Sequence, residues 1–187
     1  MQRKVNKILS IVNGVAFVDV STKKHQNLVA MIDEIDLDII LKSPRRWYAS
    51  RNKNGEPSYV GRNLGSAKNK DQRTELLHRV LLGLAEGDEL QGDHKDRNPL
   101  NNKRSNLRRA TICQNARNKT SQKKSTSKYL GVWWCKQDKC WYVRRTVDKQ
   151  IRHLGAFKSE VLAALAYDED AKHDPFANLN FKDMERR

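Results

Sequence analysis

Asp93-His94-Lys95-Asp96-Arg97-Asn98-Pro99-Leu100-Asn101-Asn102-Lys103-Arg104-Ser105-Asn106-Leu107-Arg108-Arg109 sets an acid beside a histidine, then a Pro/Asn-rich loop, then a basic strand. Thr111-Ile112-Cys113-Gln114 follows with capping-box spacing, so a helix is predicted to begin at Thr111. Working outward, one strand reaches Asp93-His94 and a second runs from Asn106 to Ala110. Asn115 then sits one turn inside the helix. A carboxylate beside an imidazole, with a second oxygen donor on a helix, can hold one hard cation and activate a water next to it. Taken singly, these features are commonplace: Asp-His pairs are frequent, and Asn98-Pro99 is an ordinary turn start. Arg104, Arg108 and Arg109 alone would suit a solvated face. The weight lies in the joint pattern, with Asn106 twelve residues after His94 and Asn115 nine further on.

The chain has 187 residues, with 37 Lys and Arg against 22 Asp and Glu, a formal charge of +15. That length holds one ordinary domain or two to three small ones. A solvated surface explains many charges but not this imbalance, which points to a polyanionic partner, most often nucleic acid. No long apolar run or basic amphipathic helix suggests a membrane. The basic start Met1 to Lys7 is followed by no apolar stretch or small-residue cleavage site, so a cytosolic (cytoplasmic) protein is expected. Cys113, Cys135 and Cys140 are too few for a disulfide framework and lack the paired spacing of a zinc site. Cys135 and Cys140 could bridge, but free thiols in a sheet fit better.

Toward the N-terminus, Asn13-Gly14 between two apolar runs predicts a hairpin. Asp33 to Leu41 reads as a helix whose early acids, Asp33, Glu34, Asp36 and Asp38, form a solvated start, and Pro44 stops it. Trp47 to Ser50 and Ser58 to Val60 suggest a second hairpin around Asn54-Gly55. Thr74 can cap a short helix through Leu82. From Asn101 to Lys128 there are nine Lys or Arg and no acid. Thr120 to Lys128 has no apolar residue and cannot pack a core, so it reads as a linker whose lysines can lie along phosphates. Beyond it, Tyr129 to Trp134, Trp141 to Val147 and Ile151 to Phe157 read as strands, with a helix from Ser159 to about His173.

The segment around Asp93 to Asn115 resembles the His-Asn-His (HNH) nuclease motif, the ββα-metal fold, in its phage homing-endonuclease form. The resemblance implies that His94 is the general base and that Asn106 braces the loop and orients the histidine ring. It implies that Asp93 and Asn115 are the two protein ligands of a magnesium or manganese ion. Asn115 stands where other branches carry a histidine, which shifts the metal from zinc-like toward magnesium-like. His78, in Leu77-His78-Arg79, matches a residue recurrent upstream in this branch.

Residues 128 to 181 resemble the ethylene-response-factor (Apetala-type) domain through Tyr129-x-Gly131-Val132, His153-Leu154-Gly155-x-Phe157, Ala163-Ala164-x-Ala166-Tyr167-Asp168 and Leu179-Asn180-Phe181. Such domains lay a sheet in the DNA major groove. Strand alternation puts Val132, Trp134, Trp141 and Val143 against the helix. It turns Trp133, Cys135, Tyr142, Arg144 and Thr146 outward, with His153 from the third strand, and Tyr167 reads as a packing residue. Leu130, Trp133 and Cys135 stand where the plant family usually has arginines, so its base preference is not inherited.

The expected architecture is α+β. It comprises a β-rich region (1–73), an HNH hairpin (74–119), a basic linker (120–128) and a three-stranded antiparallel sheet packed on one helix (129–183). The expected function is hydrolysis of phosphodiester bonds in double-stranded DNA by a monomer needing no cofactor besides the metal. Arg104, Arg108, Arg109, Arg117, Lys119, Lys123, Lys124, Trp133, Tyr142, Arg144, Thr146 and His153 are the expected DNA contacts. The rival reading is a catalytically inactive, sequence-specific DNA-binding regulator. A recombinase fragment lacks a catalytic domain of adequate size, and RNA binding lacks a paired stacking motif.

Overall fold

The structure is a computed structural model that describes residues 5–65, 73–118 and 125–181. Among them the protein is mixed α+β, with ten strands in small antiparallel sheets and four α-helices. No helix among the described residues is long and apolar enough to cross a membrane. The chain divides into two compact units, Met1–Ala110 and Thr111–Arg187. The division falls ahead of the expected 120–128 linker, much of which lies outside the described residues.

In the first unit, β1 (Ile8–Val12) and β2 (Val15–Asp19) turn at Asn13 and Gly14, with φ of 49° and 74°. Positive φ at both positions is what a two-residue hairpin turn requires, and Asn-Gly supplies it at low cost. β3 (Val29–Asp33) pairs with β2 and completes a sheet whose inward face buries Ala16, Val18, Ala30 and Ile32. A 3₁₀ turn, Glu34–Asp36, leads into α1 (Leu37–Leu41). The expected solvated acidic start is corrected here. Asp36 is 4% exposed, and Arg104 forks onto it with Nε–Oδ2 at 2.8 Å and Nη2–Oδ1 at 2.7 Å. A bidentate guanidinium offsets the desolvation of that carboxylate.

The hairpin expected around Asn54-Gly55 forms only isolated bridges, Tyr48 with Gly61 and Arg51 with Pro57. Instead β4 (Gly61–Leu64) pairs with β5 (Arg73–Leu76). Thr74 therefore lies in a strand and caps nothing. The helix α2 (Leu77–Leu81) starts at Leu77, whose N–H is taken by Val60 O at 2.9 Å. A cross-strand partner outcompeted the local cap, as β-branched threonine permits.

The hairpin of β6 (Gln91–His94) and β7 (Leu107–Ala110) closes the first unit. Its connecting loop is docked on the edge of β3. Met31 N donates to Leu100 O and Asn102 N to Met31 O, both at 2.8 Å, and Arg104 N donates to Asp33 Oδ2 at 2.7 Å. The N-terminal sheet is thus the platform that holds this loop.

The second unit opens with α3 (Ile112–Arg117), entered through the expected capping box. Gln114 N donates to Thr111 Oγ1 at 3.2 Å, and Thr111 N to Gln114 Oε1 at 2.8 Å. β8 (Val132–Cys135), β9 (Cys140–Val147) and β10 (Gln150–Phe157) form a sheet in the order β10-β9-β8, covered by α4 (Glu160–Ala171). Val132, Val143, Ala163, Ala164 and Tyr167 make its core. Gly131 is obligatory, since at φ +76° a Cβ would stand 2.3 Å from the Tyr167 ring and 2.6 Å from Arg144 O. Asn180 ties the C-terminal segment to the sheet by accepting from Leu130 N at 2.6 Å, while Asp168 accepts from Asn180 N and Phe181 N, each at 2.8 Å.

Candidate functional site

The register of β6 against β7 places Asp93 opposite Arg108 and His94 opposite Leu107. Both Asp93 and His94 are buried, at 5% and 4% exposure. Arg108 directs Nε and Nη2 at Asp93 Oδ2, each at 2.7 Å, so this carboxylate meets a cation held by its own hairpin. His94 Nε2 lies 3.4 Å from Asn102 Oδ1. Asn102 is fully buried, and its Nδ2 donates to Pro99 O at 3.2 Å, which turns its oxygen toward the histidine. Burial holds the His94 imidazole below its ordinary pKa, against the opposing pull of Asn102, Asp96 and Asp93. A neutral imidazole at neutral pH is the form that accepts a proton.

The loop between the strands is stitched by its own polar side chains. The Asp96 carboxylate accepts from Asn98 N at 2.8 Å, Asn101 Nδ2 at 2.7 Å and Asn106 Nδ2 at 2.9 Å. Asn106 Oδ1 in return accepts from Asp96 N at 3.1 Å, and its Nδ2 reaches Asn101 O at 2.8 Å. Burial alone would raise the Asp96 pKa, but these bonds outweigh it and hold the carboxyl below its usual range. Asn106 therefore clasps the two ends of the loop, and the amide oxygen of Asn102 lies in reach of the His94 ring.

Two further rings meet His94. His78, on α2, lies with its centroid 5.0 Å away in an edge-on arrangement. Tyr59 stacks on His94 at 5.6 Å and touches His78 at 4.9 Å. His78 is 4% exposed, and burial, then His94 and Arg79, push its pKa down to about 3. Gly92 makes the approach possible, because a Cβ there would stand 2.3 Å from His78 Cδ2. Sequence reasoning missed Tyr59 and Asn102. Neither carries a local signal, since one lies in an unremarkable Ser-Tyr-Val run and the other is half of an Asn-Asn pair.

Asn115 is on α3, partly exposed, in the second unit, whereas Asp93 and His94 belong to the first. Among the described residues no group of three His, Cys, Asp or Glu is arranged to hold a metal. The two donors that the resemblance names, a carboxylate and an amide oxygen, are hard ligands that suit magnesium or manganese better than zinc.

On the second unit's sheet, Trp133 pairs with Tyr142 in register and their rings stack at 5.6 Å, with the Arg144 guanidinium 5.2 Å from the Trp133 ring centre. Arg144, Thr146 and His153 are exposed, and His153 sits opposite Arg144. Tyr142 is not an open phenol. Its hydroxyl donates to Asp138 Oδ2 at 2.8 Å, which pushes its pKa up to about 12, and Cys135 Sγ reaches the same oxygen at 3.2 Å.

Four of the arginines expected on DNA have internal partners. Arg104 holds Asp36 and Arg108 holds Asp93; Arg109 donates to Leu82 O, and Arg117 Nη1 to Asp174 Oδ2 at 2.9 Å. Lys119, Lys123 and Lys124 lie outside the described residues. The chain matches no protein-family model, no curated protein and no solved structure.

Proposed function

We propose that the protein is a metal-dependent DNA endonuclease of the HNH homing type, acting on duplex DNA through its basic surface. The observation that carries this reading is the buried Asp93-His94 pair at the end of β6, with the His94 ring facing a fixed amide and a loop clasped by Asn106. Burying an acid and an imidazole side by side is costly to the fold and is characteristic of reactive sites.

Hydrolysis adds water across a P–O bond, hydroxyl to phosphorus and a proton to the departing oxygen. Donation of Nε2–H to Asn102 Oδ1 leaves the lone pair of His94 on Nδ1, which is buried, so substrate binding would have to admit the attacking water to it before it could take the proton. Asp93 would supply a carboxylate oxygen to magnesium or manganese, which when bound stabilises charge on the phosphate and the leaving oxygen, and Asn115 is the second donor that the HNH resemblance names. Trp133, Arg144, Thr146 and His153 would hold the duplex by stacking, base-edge and phosphate contacts.

One observation favours a DNA-binding regulator without cleavage: the Arg108 guanidinium already neutralises Asp93. Plasmid nicking separates the two. Wild-type protein should nick supercoiled DNA only with a divalent ion, and His94→Ala should lose on the order of 10³-fold in rate while binding DNA as before. No magnesium-dependent nicking by folded protein would leave the regulator.

A further inference from the structure

The Tyr59–His78–His94 cluster brings together three parts of the first unit: the segment before β4, the helix α2 and the end of β6. A histidine's χ2 torsion is broad, so a ring at a strand end needs restraint from outside to keep one orientation. The Asn102 contact, at 3.4 Å, lies at the long limit for a hydrogen bond and is a weak restraint by itself. The two flanking rings confine the imidazole where that contact does not. One meets it edge-on and the other face-on, so rotation about χ2 drives it into one of them.

Plain core filling does not account for His78. Its Nδ1 has no hydrogen-bond partner among the described residues, and burying such an atom costs free energy that a leucine would avoid. The backbone also yields to it, since only a glycine at position 92 leaves room for the ring. Tyr59 is 51% exposed, so its contact with two buried imidazoles covers the solvent side of the cluster.

We propose that Tyr59 and His78 are positioning residues that grip the His94 imidazole and set the direction from which it takes a proton. The inference rests on the nuclease reading for its consequence, but the grip itself is measurable without cleavage. His78, uncharged because burial depresses its pKa, can lie against His94 without electrostatic repulsion.

The test uses the full chain with magnesium and a nicked-plasmid readout. His78→Ala and Tyr59→Ala should lower kcat on the order of 10- to 100-fold with KM and DNA affinity unchanged, the size expected when a base is displaced by about an ångström. His78→Phe, which keeps a flat ring and lacks the nitrogens, should recover most of the rate, as should Tyr59→Phe. In parallel, the His94 ring signals in NMR should be narrow in the wild type, shifted or broadened in both alanine variants, and restored in the ring-retaining ones. Tyr59→Ala changes an exposed side chain, so it guards against a His78 variant that fails to fold. Unchanged kcat and unchanged His94 signals in folded alanine variants would overturn the proposal. So would a His78→Phe protein as impaired as His78→Ala. If the wild type does not nick at all, the nuclease reading fails, and the ring spectra still decide whether the grip exists.

Discussion

The two units bury titratable side chains in different company. In the second, Arg145 is 5% exposed and reaches Asp170 at 2.9 Å and Asp174, which also receives Arg117 from the end of α3. Opposite charges converge there, and the network joins α3, β9 and the turn after α4. In the first, two imidazoles lie against each other without a carboxylate between them, beside an aspartate whose counter-ion comes from the opposite strand. The Arg145 network is a means of assembly. The His78–His94 arrangement adds nothing to packing that apolar residues would not, and it is the feature on which the proposed chemistry rests.

The strongest break of this comparison is Arg145→Ala. It would leave Asp174 to Arg117 alone and take from Asp170 its buried guanidinium, and a loss of about 3 kcal/mol, the low end for breaking a buried pair, is expected, read as faster amide exchange in β9 and α4. An exchange rate like that of the wild type would show that the network is ornamental to the fold. Gly92→Ala should cost about 1–3 kcal/mol in urea denaturation, because the added methyl must displace a buried ring and not a flexible chain end.

Acid sharpens the contrast further. His78 binds a proton near pH 6.5 when unfolded and near 3 when folded, so between those values the unfolded state holds more protons. Its contribution to stability is present above pH 6.5 and is lost as pH falls toward 3, by at most about 1.4 kcal/mol per pH unit. His78→Phe should flatten that part of the curve, and an equally steep profile would refute the assignment. The smallest effect concerns DNA. Arg144→Gln should reduce the slope of log affinity against log salt by about 0.9, the value for one phosphate contact, whereas Arg104→Gln should leave it unchanged because Asp36 already holds that guanidinium.

Local chemistry made much of the molecule legible. Asn13-Gly14 announced its turn, the capping box announced α3, and alternation from Val132 to Val147 separated the covered face of the sheet from the open one. These signals act over a few residues, where backbone sterics and hydrogen-bond geometry decide. Thr74 misled because its hydroxyl suits a cap and its branched side chain suits a strand equally well, and the nearby edge of β4 chose between them. Asp36 misled because an acid at a helix start is ordinarily solvated, and its partner Arg104 is remote in sequence.

The chain's own order of residues was enough to determine the N-terminal hairpin, the capped start of α3, the three strands and helix of the second unit, the basic character, and the pairing of Asp93 with His94 on one strand. Tertiary structure alone decided that Tyr59 and His78 surround the histidine, that Asn102 faces its ring, that the loop leans on β3, and which arginines remain open to solvent. The reason is physical. Periodicity and capping report a residue's neighbours along the chain, while burial and long-range pairing depend on which surfaces the folded chain brings together.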